Sequence, residues 1–516
     1  MLEWNRNAFL CHVLVFVLVS TCYGDSSYYI SPEGANTQLC SATEPCGSIS
    51  AVLVVFGNST DDLTIHISPG TYSSSGNSQI VFPNVPVKLL GANSNFHCAN
   101  LDQTCFSVTN NVTINSLSIS TCGTAVKIDQ ASYESFSNFS HVSFLHGSTG
   151  AMIRSEVFYN HPDFTNCTFS NLTTGIDAQN AKMNLEQLSF QDVSLSFNLD
   201  NCDSVTLESS TFLSSGGFVA KGSSGRIANS NFLNTYDAAV SLLGGTWTIE
   251  HTKFENGHQI HHYWGGAGGV MVITSSAIVK ISSCVFRNNS ALNGGSLYVY
   301  SARSVYIIGT LFEKNSAVYS GGAIFVNDVH LFSVVNSTFN ENSCSEEDSI
   351  GGAVVFFSIQ YAVKKFIFEE VLFSNNEAHN GAAIGCCDSS EDCSITILYD
   401  PSTIKFVNNT NTIGEGGEDC TCSVEFPPVS LYMTPDGIDT TSCSILAPCG
   451  SFEDVLNVFQ GLTGQKVALS IVLQSGTYSA SSKNSNIHFP DIPVFLELLG
   501  TRQHSNAQAQ VTRLSL

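Results

Sequence analysis

Phenylalanine returns every 20 to 34 residues through most of this chain, usually followed by asparagine and then by a glycine or small-residue pair. The clearest units are Cys284-Val-Phe286-Arg-Asn-Asn289-Ser-Ala291 with Gly294-Gly295, Thr310-Leu-Phe312-Glu-Lys-Asn315-Ser-Ala317 with Gly321-Gly322, Ser337-Thr-Phe339-Asn-Glu-Asn342 with Gly351-Gly352, and Val371-Leu-Phe373-Ser-Asn-Asn376-Glu-Ala378 with Gly381-Ala382. Upstream the beat continues at Phe144, Phe169, Phe190, Phe212, Phe232 and Phe254, with gaps of 25, 21, 22, 20 and 22 residues. Short β-prone runs lie between, such as Val205-Thr-Leu207, Trp247-Thr-Ile249 and Val305-Tyr-Ile-Ile308, bounded by Asn, Gly and Ser clusters. A unit of that length holding two or three strands is one coil of a parallel β-solenoid, each strand pairing with its equivalent one turn later.

Stacked coils sit roughly 4.8 Å apart, so an inward position repeated as Phe becomes a column of rings. That accounts for 34 Phe against 3 Trp. The Asn three residues after each Phe is expected at the following bend, in a left-handed conformation or in an amide ladder. Gly-Gly suits a tight corner. The pattern is therefore structural, and it predicts an all-β parallel β-helix, to which the head of the chain adds a small α/β capping segment.

Residues 1–24 read as a secretory signal, with Arg6 ahead of an apolar run from Ala8 to Val19 and small residues near Gly24. Nothing later reaches 18 consecutive apolar residues, so no membrane span is expected in the chain as given. Of 18 cysteines, Cys11 and Cys22 fall in the leader, which leaves 16, and disulfides are the expectation in an oxidising compartment. Glycosylation sequons stand at Asn58, Asn111, Asn138, Asn166, Asn171, Asn288, Asn336 and Asn408. A formal charge of −24 with 12% charged residues disfavours nucleic-acid binding and leaves a surface of hydroxyls, amides and acids. The expected location is extracellular, or the cell surface if the chain continues to an anchor.

A second beginning lies inside the chain. Tyr29-Ile-Ser-Pro32-Glu-Gly34 matches Tyr432-Met-Thr-Pro435-Asp-Gly437, and Cys40-Ser-Ala-Thr-Glu-Pro45-Cys46-Gly47-Ser48 matches Cys443-Ser-Ile-Leu-Ala-Pro448-Cys449-Gly450-Ser451. Gly70-Thr71-Tyr72 and Phe82-Pro-Asn-Val-Pro86 likewise return as Gly476-Thr477-Tyr478 and Phe489-Pro-Asp-Ile-Pro493. The expected organisation is a signal peptide over 1–24, a cap over 25–91, coils over 92–425 and the start of a second module over 426–516. That last part reads as truncated or as a cap in its own right. Ser451 followed by acids and by Phe452, Val455, Leu456 and Phe459 predicts a capped amphipathic helix.

The head, from Tyr29-Ile-Ser-Pro32-x-Gly34 through Pro45-Cys46-Gly47-Ser48 to Pro69-Gly70-Thr71-Tyr72, resembles the N-terminal segment of right-handed parallel β-helix proteins of the pectin-lyase-like superfold. The units over 286–384 resemble the repeats of chlamydial polymorphic outer membrane proteins. The first resemblance implies polysaccharide-acting relatives, in which paired carboxylates act as acid and base. This chain departs from their motifs: Asp61-Asp62 lies in the head, Arg226-Ile-Ala228 stands where Arg-Ile-Lys is expected, and Gly257-His258-Gln259 breaks the His motif. No catalytic residue, metal site or cofactor is assigned.

Two interruptions of the beat are the candidate sites. His258, His261, His262, Tyr263 and Trp264 precede a glycine run where the Phe spacing stretches to 32 residues, and they are the candidate ligand-binding residues. The second holds Cys386, Cys387, Cys393, Cys420 and Cys422 among carboxylates, where disulfides are expected rather than zinc. Small disulfide loops are expected at Cys40 with Cys46, Cys443 with Cys449, and Cys98 with Cys105. The sequence thus points to a non-catalytic β-helix scaffold binding extracellular glycans or matrix or cell-surface proteins, with a diverged polysaccharide lyase or glycoside hydrolase as the alternative.

Overall fold

A computed structural model describes residues 26–35, 39–130, 135–155, 160–259, 268–357, 365–386, 396–399, 403–412, 423–425, 429–434, 437, 443, 448–462, 469–474, 494–499 and 514–515. The chain divides into two compact units, Met1–Ile395 with Ile404–Cys422, and Thr396–Thr403 with Ser423–Leu516.

The first unit opens with strand Ser26–Ile30, which pairs in parallel with Leu63–Ile67 and through it with Val87–His97. Between the first two lies helix Ile49–Phe56, which buries Ile49, Val52 and Phe56. Ser48 Oγ caps it by accepting from the Ala51 amide at 3.3 Å, and Asn77 Oδ1 takes the Ile49 amide at 2.8 Å. The helix ends at Gly57, whose φ of 61° needs a residue without Cβ strain.

From there the coils repeat three strands each. Thr211–Leu213, Phe218–Lys221 and Gly225–Ala228 pair in parallel with Asn231–Leu233, Val240–Leu243 and Thr246–Glu250 of the next coil. The Phe strands stay in register throughout, placing eleven rings from Phe144 to Phe406 opposite one another. Successive centroids are 4.2 to 5.4 Å apart, with planes within 17° of parallel. The all-β parallel β-helix expected from the period is thus the fold.

The corners differ from the expectation in one respect. Left-handed backbone falls two residues after each Phe, at His146, Asn171, Asp192, Ser214, Asn234, Asn256, Asn288, Lys314, Glu341, Asn375 and Asn408, with φ from 47° to 56°. A matching column lies three residues before it, at His141, Asn166, Gln187, Ser209, Asn229, His251, Ser283, Asn336 and Glu370. The Asn three residues after Phe instead points inward. Asn289 donates from N and Nδ2 to Asn315 Oδ1, both at 3.1 Å, and Asn315, Asn342 and Asn376 repeat the bonds to Asn342, Asn376 and Asn409. Each Nδ2 also donates to the carbonyl of the Phe one coil back, as Asn315 does to Phe286 at 3.0 Å. A buried amide needs every bond it can make, and this position supplies them.

A second inward column explains several cysteines. The residue two before Phe donates to the carbonyl two residues earlier, as Ser210 does to Glu208 at 2.9 Å, Thr252 to Glu250 at 2.8 Å and Ser337 to Val335 at 2.9 Å. Cys167 and Cys284 occupy the same position and bond Thr165 and Ser282 at 3.5 and 3.3 Å. They are thiols doing a hydroxyl's task, and burial pushes both up to about 11. Cys105, Cys202 and Cys344 are also free and buried, so disulfide pairing is less general than the cysteine count suggests.

The glycine pairs turn the corner where the expectation put them. Gly294, Gly321, Gly351 and Gly381 have φ of 58°, 65°, 72° and 60°. Their partners are held by crowding: a Cβ on Gly322 would lie 2.1 Å from the Gly352 carbonyl oxygen. Gly322→Ala is therefore expected to destabilise the coils by about 1–3 kcal/mol, the usual range for overpacking. The shift of the urea midpoint checks it.

The second unit is a smaller parallel sheet. Val429–Met433 pairs with Leu469–Gln474, and that strand with Val494–Leu499, to which Leu514–Ser515 adds in antiparallel. Helix Phe452–Leu462 starts at Ser451, whose Oγ accepts from the Asp454 amide at 3.2 Å. Its core gathers Leu431, Met433, Val455, Val458, Phe459 and Ile471. The strand-to-cysteine bonds of the first head recur: Tyr432 donates to Cys443 and Cys449 to Tyr432, as Tyr29 does to Cys40 and Cys46 to Tyr29.

Candidate functional site

Of the residues singled out around the stretched spacing, His258 is described: it is exposed, and its Nδ1 pairs with Ser290 Oγ of the following coil. His261, His262, Tyr263 and Trp264 lie outside the described residues, as do Cys387, Cys393, Cys420 and Cys422. Among the sequons, Asn58, Asn138, Asn166, Asn171, Asn288, Asn336 and Asn408 are exposed and Asn111 is half-buried. Disulfides join Cys40 to Cys46 and Cys443 to Cys449. Cys98 bonds Cys122 and leaves Cys105 free, which corrects the pairing of Cys98 with Cys105. The physical reason is register: His97 lies opposite Ser120, which brings Cys98 and Cys122 to one corner of adjacent coils.

A polar constellation on the described coils lies elsewhere. It sits on the outward face of Thr124–Gln130, the second half of Ser143–Ser155, the second half of Thr168–Gln179, Leu195–Asp200 and Phe218–Lys221. Strand alternation turns Val126, Ile128, Ile153, Ile176, Ala178, Phe197, Leu199, Phe218 and Ala220 inward, where they are buried. The residues between them face out in two columns. One runs Lys127, Met152, Asp177, Asn198, Val219, and the other Asp129, Arg154, Gln179, Asp200, Lys221.

Asp177 is the centre of this face, and its side chain is only 18% exposed. Its Oδ2 pairs with Arg154 Nη2, while Oδ1 accepts from Asn198 Nδ2 at 2.9 Å. Arg154 Nη1 adds bonds to the Ile153 and Asp177 carbonyls at 3.1 and 3.0 Å. Lys127 pairs with Asp129 on the coil before. Asp200, one coil on and two residues along, lies about 8 Å from Asp177 between Cα atoms, from strand spacing and rise. At the next corner Lys182, Asn201, Cys202, Asp203, Gly222 and Ser224 line a hollow of about 420 Å³. Burial pushes the Cys202 thiol up to about 11, so it is no nucleophile at neutral pH.

Elsewhere on the coils carboxylates bracket arginines in the same manner. Arg226 lies between Glu208 at 3.5 Å and Glu250 at 3.1 Å, and Arg287 between Glu255 at 3.1 Å and Glu313 at 2.7 Å. These pairs are partly exposed and each contributes less than about 1 kcal/mol. The constellation at Asp177 escapes sequence reading because its members stand some 20 to 25 residues apart. Their shared place in the alternation, as in Ile176-Asp-Ala-Gln179 and Phe197-Asn-Leu-Asp200, is the signal that would have found them.

No curated protein matches the sequence. Residues 309–327 match the Chlamydia polymorphic membrane protein repeat. Among solved structures, the chain is similar to the catalytic unit of a thermostable GH87 alpha-1,3-glucanase from Streptomyces thermodiastaticus, at 15% identity, with a TM-score of 0.36 and coverage of 78% of this chain and 72% of that one. It is similar also to pectate lyase Pel9A, at 13% identity, with a TM-score of 0.29 and coverage of 72% and 80%. The stacked, in-register parallel ladders make this chain a parallel β-helix.

Proposed function

We propose that this protein is a non-catalytic β-helix scaffold displayed outside the cell, binding a glycan along the face that runs from Lys127 to Lys221. The observation that carries the reading is the setting of Asp177: its two oxygens are engaged by Arg154 and Asn198, which fixes it as an element of a polar surface. Charged and amide groups at coil spacing offer donors and acceptors to the hydroxyls of a repeating polymer, and the rigid ladder beneath keeps them in place. The repeat match at 309–327, to a family described as membrane proteins, supports display at a surface. Among the described residues no helix is long and apolar enough to cross a membrane.

Binding of the full chain to neutral and uronic polysaccharides, with simultaneous assay for released reducing ends and unsaturated products, tests the proposal. Binding without product is expected. Lys221, exposed at the end of the constellation, is the probe. Lys221→Ala is expected to weaken binding about 10- to 150-fold, since a charge-assisted hydrogen bond contributes about 1.5–3 kcal/mol. Release of product would overturn the reading in favour of a lyase or hydrolase.

A further inference from the structure

Cys105 is unlike the other free cysteines of the described coils. Cys167, Cys202 and Cys284 each bond two backbone carbonyls, and Cys344 bonds that of Gly351 at 3.4 Å. Cys105 bonds the Asn77 carbonyl at 3.7 Å and in addition stands beside two further sulphurs: its Sγ and those of Cys98 and Cys122 all lie within 4.8 Å of one another. All three residues are buried, with exposures of 0%, 1% and 2%. Three strands or their ends supply them, Val87–His97, Thr104–Val108 and Val112–Ser120, and the parallel ladder fixes the backbone on every side.

We propose that Cys98, Cys105 and Cys122 form a redox-gated site for one thiophilic divalent cation of the zinc class, closed as the Cys98–Cys122 disulfide and opened by its reduction. Thiolate–zinc bonds of about 2.3 Å in tetrahedral geometry place sulphurs about 3.8 Å apart. The three sulphurs already lie within 4.8 Å of one another, and the Cys98 and Cys122 Cα atoms are 5.1 Å apart. Three thiolates are one ligand short of a closed structural site, which leaves a position for water.

The chemistry balances with a phosphine as reductant. The disulfide, one phosphine and one water give two thiols and one phosphine oxide; metal uptake then breaks three S–H bonds, forms three metal–sulphur bonds and releases three protons to buffer. Added hydrogen peroxide reverses the step: two thiolates, one peroxide and two protons give the disulfide and two waters, and the ion is released.

Cadmium titration of the full chain, followed by thiolate-to-metal charge-transfer absorption under argon with and without a phosphine, tests this. Other cysteines also take up cadmium after reduction, so the readout is a difference between variants. The reduced wild type is expected to bind one molar equivalent more than reduced Cys105→Ser or Cys122→Ser. Reduced Cys202→Ser, which removes a buried thiol outside the trio, is expected to match the wild type. Equal stoichiometry in wild type and Cys105→Ser would overturn the proposal, as would loss of the equivalent in Cys202→Ser, which would trace the uptake to loosened structure. Uptake of that equivalent without reductant would overturn the gating.

Discussion

Phe212→Ala is expected to destabilise the coils by about 3–5 kcal/mol, the range for removing a buried ring. Phe212 is 1% exposed and lies between Phe190 at 4.8 Å and Phe232 at 4.2 Å, nearly parallel to both. Truncation removes one ring from the column and leaves two faces without contacts, and the ladder above and below prevents collapse into the void. Coils touch only their neighbours, so the loss is local and separates the stack into blocks that unfold in distinct steps. Trp247, buried in the next coil with Nε1 bonded to the Ser223 carbonyl at 2.8 Å, reports one block by fluorescence, while circular dichroism reports the whole. The wild type is expected to show the two signals moving together and the variant to show them apart. A loss below about 1 kcal/mol would mean that the column is not the mainstay of the core.

Asn315→Leu is expected to cost about as much by a different route. Asn315 is fully buried, and its amide accepts from Asn289 N and Nδ2 and donates to the Phe286 carbonyl and Asn342 Oδ1. Leucine has similar volume, so packing changes little, yet the Asn289 amide and one hydrogen of its side chain are left without partners, and the Phe286 carbonyl loses one of its bonds. A buried group so stranded costs about 1–3 kcal/mol, and two are stranded here. Lys314, one residue earlier, is the contrast: it is 52% exposed and its ion pair with Glu341 spans 3.6 Å. Lys314→Asn keeps the left-handed corner and is expected to change stability by less than about 1 kcal/mol. Urea midpoints of the two variants, taken side by side, check the difference. Equal effects would show that the ladder adds no more than the surface does.

The inward positions were legible because each is a repeated residue type in a repeated place. Phe, the Asn after it and the glycine pair each mark a site where the same geometric demand returns once per coil. The head was legible for a similar reason, since its cysteine spacing and helix cap occur twice. The exact corner was not: Asn tolerates both the left-handed turn and the ladder, and the chain uses Phe+2 for the first and Phe+3 for the second. Lys314 and Glu341 at the turn show that composition alone could not separate the two roles.

The outward face was not legible. Lys127, Arg154, Asp177, Asn198, Asp200 and Lys221 share no motif, and coil lengths vary enough that no fixed spacing joins them. The attention that sequence gives to the histidine-rich stretch reflects density along the chain, whereas the constellation at Asp177 is dense only across it.

By itself the sequence determined the coil, its inward columns and the duplicated head, because a β-helix is built from nearest-neighbour repeats whose demands are written locally. Only the tertiary structure decided which residues meet. Parallel stacking makes neighbours of residues one coil apart: Cys98 bonds Cys122, 24 residues on, rather than Cys105, and Asp177 finds Arg154 and Asn198 from the coils on either side.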